Sequence, residues 1–330
     1  FQGDEEMPHA IVMQEPGDTA VLHYTPVTIP QPSGTQVHVR HRAIGVNFID
    51  TYYRTGLYKW PQTPLTPGAE AAGEVVAVGE AVTHVQPGDR VAYTTPTGAY
   101  AQERLIDARQ LIVLPDEISF ETAAAITLKG LTAQYLLRRS FRIEAGQTVL
   151  FHAAAGGVGL LAGQWLAHLG ATVIGTAGSA EKMALAQENG FTHMINYRTE
   201  NFVARVKEIT HGQGVDVVYD SVGQDTYPAS LDCLKKHGTW VCFGQSSGLI
   251  KNFALSDLAQ RGSLFATRPV LFDFIDTPEA LAAAATDLFS VVQSGAVKIA
   301  INQEFALAEA GKAHQLLEGR KTTGSTILRP

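Results

Sequence analysis

Residues 148–176 constrain the fold more than any other part of this 330-residue chain. They begin with an apolar run, Thr148–Phe151, of the length that a buried parallel strand needs. A turn of small residues follows, then a helical pattern that Gly170 ends, then a second apolar run over 171–176. A strand, a turn, a helix and a strand in this order predict the first βαβ unit of a dinucleotide-binding fold.

The turn between the first strand and the helix must let a phosphate approach the backbone. A pyrophosphate can rest on the first amides of a helix only where no Cβ stands in the way. Gly156 and Gly159 match the second and third glycines of the usual G-x-G-x-x-G pattern, and Ala154 replaces the first. We therefore expect a dinucleotide at the turn residues Ala155, Gly156, Gly157, Val158 and Gly159.

The end of the second strand indicates which dinucleotide is bound. NAD-preferring sites usually end this strand with Asp or Glu, which accepts hydrogen bonds from the ribose hydroxyls and repels a 2′-phosphate. Here the strand runs into Gly178 and Ser179 without an acid at its tip, and Lys182 follows. These residues predict an NADPH site; the alternative is that Lys182 is simply an exposed helix residue.

Composition excludes several classes of protein. With 45% hydrophobic and 17% charged residues, the chain is typical of a globular protein, and the net charge of −7 argues against a nucleic-acid surface. Neither an apolar run of about 18 residues nor a signal-peptide pattern is visible in the sequence. Two cysteines, Cys233 and Cys242, are too few for a disulfide framework, so we expect a cytoplasmic protein. Residues 1–3 resemble the remnant of an expression tag.

The chain has two regions with different residue patterns. Short β-rich runs between residues 37 and 114, separated by Pro and Gly, predict an antiparallel, barrel-like domain. From about 130 to 268, strands alternate with helices, which predicts a parallel doubly wound sheet. One of these helices is predicted over 228–236, ahead of a strand over 240–243. Two later helices lead to a last strand, 325–328, which we expect to return to the first domain.

Several stretches spread over the chain share the sequence of one family. They include AIGVNFIDTYYRTGLY (43–58), PGAEAAGEVVAVG (67–79), PGDRV (87–91), LKGLTAQYLL (128–137), HAAAGGVG (152–159), INYR (195–198) and VYDSVG (218–223). Together they resemble the medium-chain dehydrogenase/reductase superfamily, and within it the zinc-independent quinone oxidoreductases of the zeta-crystallin type.

The resemblance implies an α/β protein with two domains. A GroES-like, β-barrel-type catalytic domain would comprise residues 1–128 and 269–330, and a Rossmann NADPH-binding domain residues 129–268. It further implies NADPH-dependent reduction of a quinone held in the cleft between these domains, without a metal. A homodimer is expected to form through the edge strand over 263–267.

The resemblance also assigns candidate residues. It places Asn47, Asp50 and Tyr52 at the nicotinamide end, with Asn47 as an amide donor and Tyr52 able to stack or donate; Asp50 is expected to organise its loop rather than to act as an acid or base. The alternatives are that Asn47 only satisfies backbone groups of its loop and that Tyr52 is only an aromatic residue of the core or of the cleft wall. The further cofactor positions are Thr132 at the nicotinamide or its ribose, Ser179, Lys182, Tyr197 and Arg320 at the 2′-phosphate, Ser221 and Val222 at the adenosine half, and Phe243, Gly244 and Gln245 at the nicotinamide side.

Metal chemistry is not expected, and the acceptor stays open. Ala69 stands where zinc dehydrogenases of the superfamily carry histidine, and the first cysteine is Cys233. A metal-free site suits quinones and also α,β-unsaturated carbonyls, so a 2-alkenal or enone double-bond reductase is the alternative enzyme. The sequence does not separate these two, nor one-electron from two-electron transfer. A binding protein, structural or RNA-directed, is the third reading, against which the acidic balance weighs.

Overall fold

The computed structural model describes residues 6–330, so the predicted tag at 1–3 lies outside the described residues. Its strands are β1 (His9–Val12), β2 (His23–Pro26), β3 (Gln36–Val46), β4 (Glu70–Val78), β5 (Arg90–Thr94), β6 (Glu103–Asp107), β7 (Ile112–Val113), β8 (Thr148–Phe151), β9 (Thr172–Ala177), β10 (His193–Asn196), β11 (Val215–Asp220), β12 (Leu234–Cys242), β13 (Phe265–Thr267), β14 (Ile301–Ala306) and β15 (Ser325–Arg329). Its α-helices are α1 (Phe48–Thr55), α2 (Phe120–Tyr135), α3 (Gly157–His168), α4 (Ala180–Glu188), α5 (Phe202–Ile209), α6 (Ala229–Asp232), α7 (Ser256–Ala259), α8 (Pro278–Gln293) and α9 (Ala310–Glu318).

The described chain forms two compact units. The first comprises the residues up to 128 together with 277–285 and 299–330, and the second comprises 129–276 and 286–298. These units group residues 269–276 and 286–298 with the second unit, whereas the predicted boundaries put them in the first domain. The domain boundaries predicted from the sequence stay a proposal.

The first unit is built on a largely antiparallel sheet. Its strand order is β14-β15-β3-β4-β5-β7, with β6 paired to β3. The long strand β3 alternates buried and exposed residues before its last, wholly buried stretch, and its pairing with β4 shifts register twice. Such irregularities bend a strand and curve the sheet around its core. The last strand, β15, pairs antiparallel with β3, which confirms the predicted return to this domain.

The second unit is a six-stranded parallel sheet in the order β10-β9-β8-β11-β12-β13. The apolar run Thr148–Phe151 forms β8, which lies between β9 and β11. Chain order reverses direction between β8 and β11, so the loops after these two strands diverge and leave a crevice at the carboxyl edge. The predicted doubly wound Rossmann sheet is confirmed.

One predicted helix is wrong in its second half. The pattern over 228–236 predicts a helix, but α6 ends at Asp232, and Leu234 already begins β12 and pairs with Val215 of β11. Lys235 forms an ion pair with Asp216, 2.7 Å from Nζ to Oδ1, across the same two strands. Backbone pairing with the neighbouring strand therefore overrides the local helical pattern.

None of the helices within residues 6–330 has the length and apolar character that a membrane span requires.

Candidate functional site

The predicted cofactor residues of the second unit follow the carboxyl ends of five parallel strands. The turn from Ala155 to Gly159 follows β8, Gly178 and Ser179 follow β9, Tyr197 follows β10, Ser221 and Val222 follow β11, and Phe243, Gly244 and Gln245 follow β12. Because parallel strands end at one edge of their sheet, the fold brings these residues to the same edge, where such sheets bind ligands. Thr132 is buried in the part of α2 that belongs to the second unit, whereas Arg320 belongs to the first unit.

Gly156 and Gly159 of the first turn are glycine for two different physical reasons. A Cβ on Gly159 would lie 2.5 Å from the carbonyl oxygens of Ala153 and Ala154, so the turn itself requires glycine there. A Cβ on Gly156, the N-cap of α3, would meet only the Ala153 oxygen, at 3.3 Å. Apart from this one tight contact the space around a Cβ at Gly156 is open, so a side chain there would extend into the cradle above the first amides of α3. That cradle fits a pyrophosphate.

The residues after β9 and β10 lie close together. Ser179 is the N-cap of α4, and its Oγ accepts the Lys182 backbone N–H at 3.2 Å. A Cβ on Gly178 would lie 2.6 Å from Tyr197 Oη and 2.9 Å from Arg198 Nε, so glycine permits both side chains to approach the end of β9. Arg198 is a cation that the sequence reasoning missed. Its place directly after Tyr197 in the INYR stretch was the available signal.

A buried carboxylate shapes the loop after β11. Asp220 Oδ1 accepts the backbone N–H groups of Val222 at 2.9 Å and Gly223 at 3.2 Å. Its Oδ2 accepts the hydroxyls of Thr226 at 2.7 Å and Ser230 at 2.9 Å. Asp220 was not predicted, because nothing in the sequence marks which acid after a strand folds back onto its own loop.

His152 joins the same buried network. Its Nε2 lies 2.9 Å from Ser230 Oγ and its Nδ1 lies 2.9 Å from Thr176 Oγ1. Burial lowers the pKa of this imidazole. The serine contacts both the histidine and Asp220, and the side chains are buried, so the arrangement ties β8, β9 and β11 together at the ligand edge rather than activating a nucleophile.

Gln245, predicted at the nicotinamide side, is buried and held by an arginine. Arg268 donates from Nη2 to Gln245 Oε1 at 2.7 Å and from Nη1 to the carbonyl of Pro269 at 2.7 Å. The bond fixes the amide of Gln245, because a guanidinium can only donate. Arg268, 23 residues away in sequence, is a second residue of this edge that the sequence reasoning missed.

In the first unit, the residues predicted at the nicotinamide end lie together around the start of α1. Asn47 is the N-cap, and its Nδ2 donates to Glu70 Oε1 at 3.0 Å. Glu70 is completely buried, and its Oε2 accepts the Leu128 backbone N–H at 2.6 Å. A carboxylate only accepts, so Glu70 fixes which way the Asn47 amide faces and uses one of its two N–H groups. The second N–H keeps the capacity to donate to an acceptor.

Asp50 holds the same helix start. Its Oδ2 accepts the Asn47 backbone N–H at 2.9 Å, the return bond of a capping box, and the Tyr100 hydroxyl at 2.6 Å. It is completely buried. This geometry supports an organising role for Asp50. Tyr52, one turn along α1 from Asn47 and half-buried, has its ring centroid 5.3 Å from that of Tyr58.

A zinc ion does not fit these residues. Ala69, next to Glu70, has only a methyl group, and the Glu70 carboxylate is committed to Asn47 and Leu128. Within residues 6–330, no group of three or more His, Cys, Asp or Glu side chains could hold a metal. Zinc sites need three or four such ligands converging on one point. The chain therefore differs from the zinc-dependent members of its superfamily at this position.

Comparison with known proteins identifies the class. Residues 33–137 match the alcohol dehydrogenase GroES-like domain, and residues 157–285 match the family model described as zinc-binding dehydrogenase. A GroES-like unit and a Rossmann-type unit in one chain define the medium-chain dehydrogenase/reductase class. Within this class, the chain belongs to the quinone oxidoreductase family, as its relatives show.

The relatives cover nearly the whole chain. A quinone oxidoreductase of Pseudomonas aeruginosa is 52% identical over 315 residues, which span 95% of this chain and 97% of that protein. The crystal structure of Escherichia coli quinone oxidoreductase complexed with NADPH matches with a TM-score of 0.96 and 47% identity, covering 98% of this chain and 100% of the other. A 2-haloacrylate reductase of a Burkholderia species is 42% identical, over 97% of this chain and 98% of that protein.

Proposed function

We propose that this protein is an NADPH-dependent, metal-independent quinone reductase. The observation that carries the proposal is the 52% identity to a quinone oxidoreductase over 95% of the chain. In the proposed reaction, NADPH gives a hydride and the medium gives a proton, so that the quinone becomes a hydroquinone and NADPH becomes NADP⁺. A quinone is already electrophilic, so the protein need only position it and donate a hydrogen bond.

The carboxyl edge of the six-stranded sheet would hold the cofactor. The cradle at Gly156 would take the pyrophosphate on the first amides of α3. Ser179, Lys182 and Tyr197, predicted at the 2′-phosphate, lie at the ends of β9 and β10, where Arg198 adds a second cation. The backbone amides after β11 are pre-positioned by Asp220, and the amide of Gln245 is pre-positioned by Arg268. Bound there, NADPH supplies the hydride.

The first unit would supply the group that meets the acceptor oxygen. Asn47 offers one N–H beyond the bond that it makes to Glu70. As negative charge develops on the quinone oxygen, a donor already held in place stabilises it without reorganisation. Tyr52 would contact the ring of the acceptor, and Asp50 would keep the start of α1 in place rather than exchange protons. The roles of Thr132 and Arg320 are proposed on the same family likeness.

The 42% identity to a 2-haloacrylate reductase supports reduction of activated carbon–carbon double bonds as the second candidate. Oxidation of NADPH and of NADH should therefore be followed with 1,4-benzoquinone and with a 2-alkenal in parallel, with and without a chelator. Quinone turnover that requires NADPH and survives the chelator is the expected result. Turnover of the alkenal alone would transfer the proposal to the second candidate, and turnover of neither acceptor would refute both.

A homodimer through the edge of the parallel sheet is part of the proposal. Strand β13 ends the sheet order, and its Phe265 is 63% exposed, while Leu255, ten residues earlier in sequence, is 78% exposed. An exposed apolar edge is usually covered, and pairing with the same edge of a second copy covers both. Phe265→Glu should convert a dimer into a monomer in light scattering, whereas a wild-type monomer would contradict this part.

A cytoplasmic location is also proposed. Its support is the state of the two thiols: Cys233 and Cys242 are both unbridged and buried. Burial raises the pKa of each thiol to about 12, so both stay protonated and unreactive at neutral pH. Such cysteines are ordinary in a reducing compartment.

A further inference from the structure

A chain of polar side chains, buried except for Glu318, joins α1 to α9 in the first unit. Each helix contributes two residues four positions apart, which therefore lie on one face: Asp50 and Arg54 on α1, His314 and Glu318 on α9. Tyr100, completely buried, lies between them. The Arg54 guanidinium contacts His314 Nδ1 at 2.9 Å and Glu318 Oε2 at 3.0 Å, and Tyr100 Oη contacts His314 Nε2 at 2.9 Å and Asp50 Oδ2 at 2.6 Å.

The direction of every bond in this chain is fixed by what each group can do. Arg54 only donates, so His314 Nδ1 must accept and the imidazole proton must sit on Nε2. That Nε2–H donates to Tyr100 Oη, whose own proton goes to Asp50 Oδ2. Asp50 then accepts the backbone N–H of Asn47 at the start of α1. The chain has one polarity from Arg54 to the residue that caps the helix.

The protonation states agree with this polarity. Burial and the neighbouring Arg54 lower the pKa of His314 to about 3, so the imidazole is neutral and can accept from Arg54. Burial and Asp50 raise the pKa of Tyr100 well above its ordinary value, so the hydroxyl keeps its proton. The chain is not a path for protons from solvent, because Arg54, which does not release a proton, lies between the exposed Glu318 and His314. Its effect is positional.

We propose that Tyr100 and His314 are positioning residues for hydride transfer: with Arg54 they hold Asp50, and through Asp50 they fix the helix start that carries Asn47 and Tyr52. This inference rests on the proposed function. Neither residue belongs to the sites predicted from the sequence, and Tyr100 and His314 act on the acceptor only through Asp50. A small displacement of a positioned donor lowers the rate of the chemical step more than it lowers binding.

The test removes one oxygen atom and compares two tyrosines. Tyr100→Phe keeps the ring but deletes the bonds to Asp50 and His314. Tyr93→Phe is the matched control, because Tyr93 is also completely buried in this unit and its hydroxyl lies 2.9 Å from a buried histidine, His41 Nε2. For Tyr100→Phe we expect kcat for 1,4-benzoquinone to fall about tenfold. The Kd for NADPH, measured by fluorescence, should be unchanged in both variants, and kcat should be unchanged in Tyr93→Phe.

A second pair keeps the inference testable if Tyr100→Phe does not fold. His314→Gln offers an amide N–H near the place of Nε2 and should retain kcat to within about threefold, whereas His314→Leu should lose about as much as Tyr100→Phe. Equal kcat in wild type, Tyr100→Phe and His314→Leu overturns the inference while the proposed function stands. Equal losses in Tyr100→Phe and Tyr93→Phe also overturn it, since they indicate general destabilisation. A wild-type protein without turnover overturns the proposed function, and this inference with it.

Discussion

The side chain of Asn47 is held by Glu70, with 3.0 Å between Nδ2 and Oε1, although 23 residues separate them in sequence. Glu70 is completely buried and also accepts the Leu128 backbone N–H. The bond fixes the Asn47 amide as a hydrogen-bond donor at the start of α1.

Glu70→Gln should impair both stability and turnover. The new amide removes the charge from two buried bonds and no longer dictates which way Asn47 faces, so we expect the free energy of unfolding to fall by about 1–3 kcal/mol. We expect kcat for quinone reduction to fall about tenfold. Denaturant unfolding and steady-state kinetics measure the two effects. Glu74→Gln, which loses only an exposed ion pair with Arg42, is the control and should change the unfolding free energy by less than about 1 kcal/mol.

Gly156→Ala and Gly159→Ala should separate binding from folding. At Gly156 a methyl group would crowd only one atom, the Ala153 carbonyl oxygen at 3.3 Å, so we expect a stability loss of about 1 kcal/mol, together with an NADPH Kd raised at least about tenfold. At Gly159 the methyl group would press on two carbonyl oxygens, and we expect about 1–3 kcal/mol of destabilisation. Thermal unfolding and NADPH fluorescence titration distinguish the two. Unchanged NADPH affinity in Gly156→Ala would contradict the proposed place of the pyrophosphate.

Lys182→Ala should affect NADPH and spare NADH. If Lys182 contacts the 2′-phosphate, removing its charge should raise the KM for NADPH about tenfold, the effect of one charge-assisted contact, and leave the KM for NADH unchanged. Lys207→Ala, an exposed lysine on α5, provides a control with the same change of net charge. Equal effects on both cofactors, or no effect on either, would remove Lys182 from the phosphate site.

Stability should decrease as pH falls from about 6.5. Burial lowers the pKa of His41 and of His314 from 6.5 to about 3, so between these values the unfolded chain binds protons that the folded chain does not. Each buried histidine should thus cost about 2 kcal/mol of stability at pH 5 relative to pH 7.5. In His314→Gln the loss between these two pH values should shrink by about that amount, as measured by urea unfolding. Gln315→Ala, beside it on α9, adds no such change; an identical pH dependence in His314→Gln and wild type would refute the assignment.

Much of the nucleotide-binding unit could be predicted because its signals are local. An apolar run, a glycine turn and a helical pattern adjoin one another in sequence, and the carboxyl ends of parallel strands necessarily share an edge. The same local reasoning was wrong at β12, where pairing of Leu234 with Val215 replaced the second half of a predicted helix. It also missed Asp220, Arg198 and Arg268, whose places at the ligand edge depend on how the loops fold back.

The two-domain class, the parallel sheet, the order of its strands along the chain and the glycines at the first turn can all be read from the sequence, because each depends on neighbouring residues or on periodicity. How the residues around Asn47 are held became visible only in the folded chain. Glu70 lies at the start of β4, and Tyr100 lies in the loop between β5 and β6. His314 lies 260 residues after Arg54, which it contacts. No sequence pattern encodes such a pairing, because a buried hydrogen bond requires only that two complementary groups meet once the chain has folded.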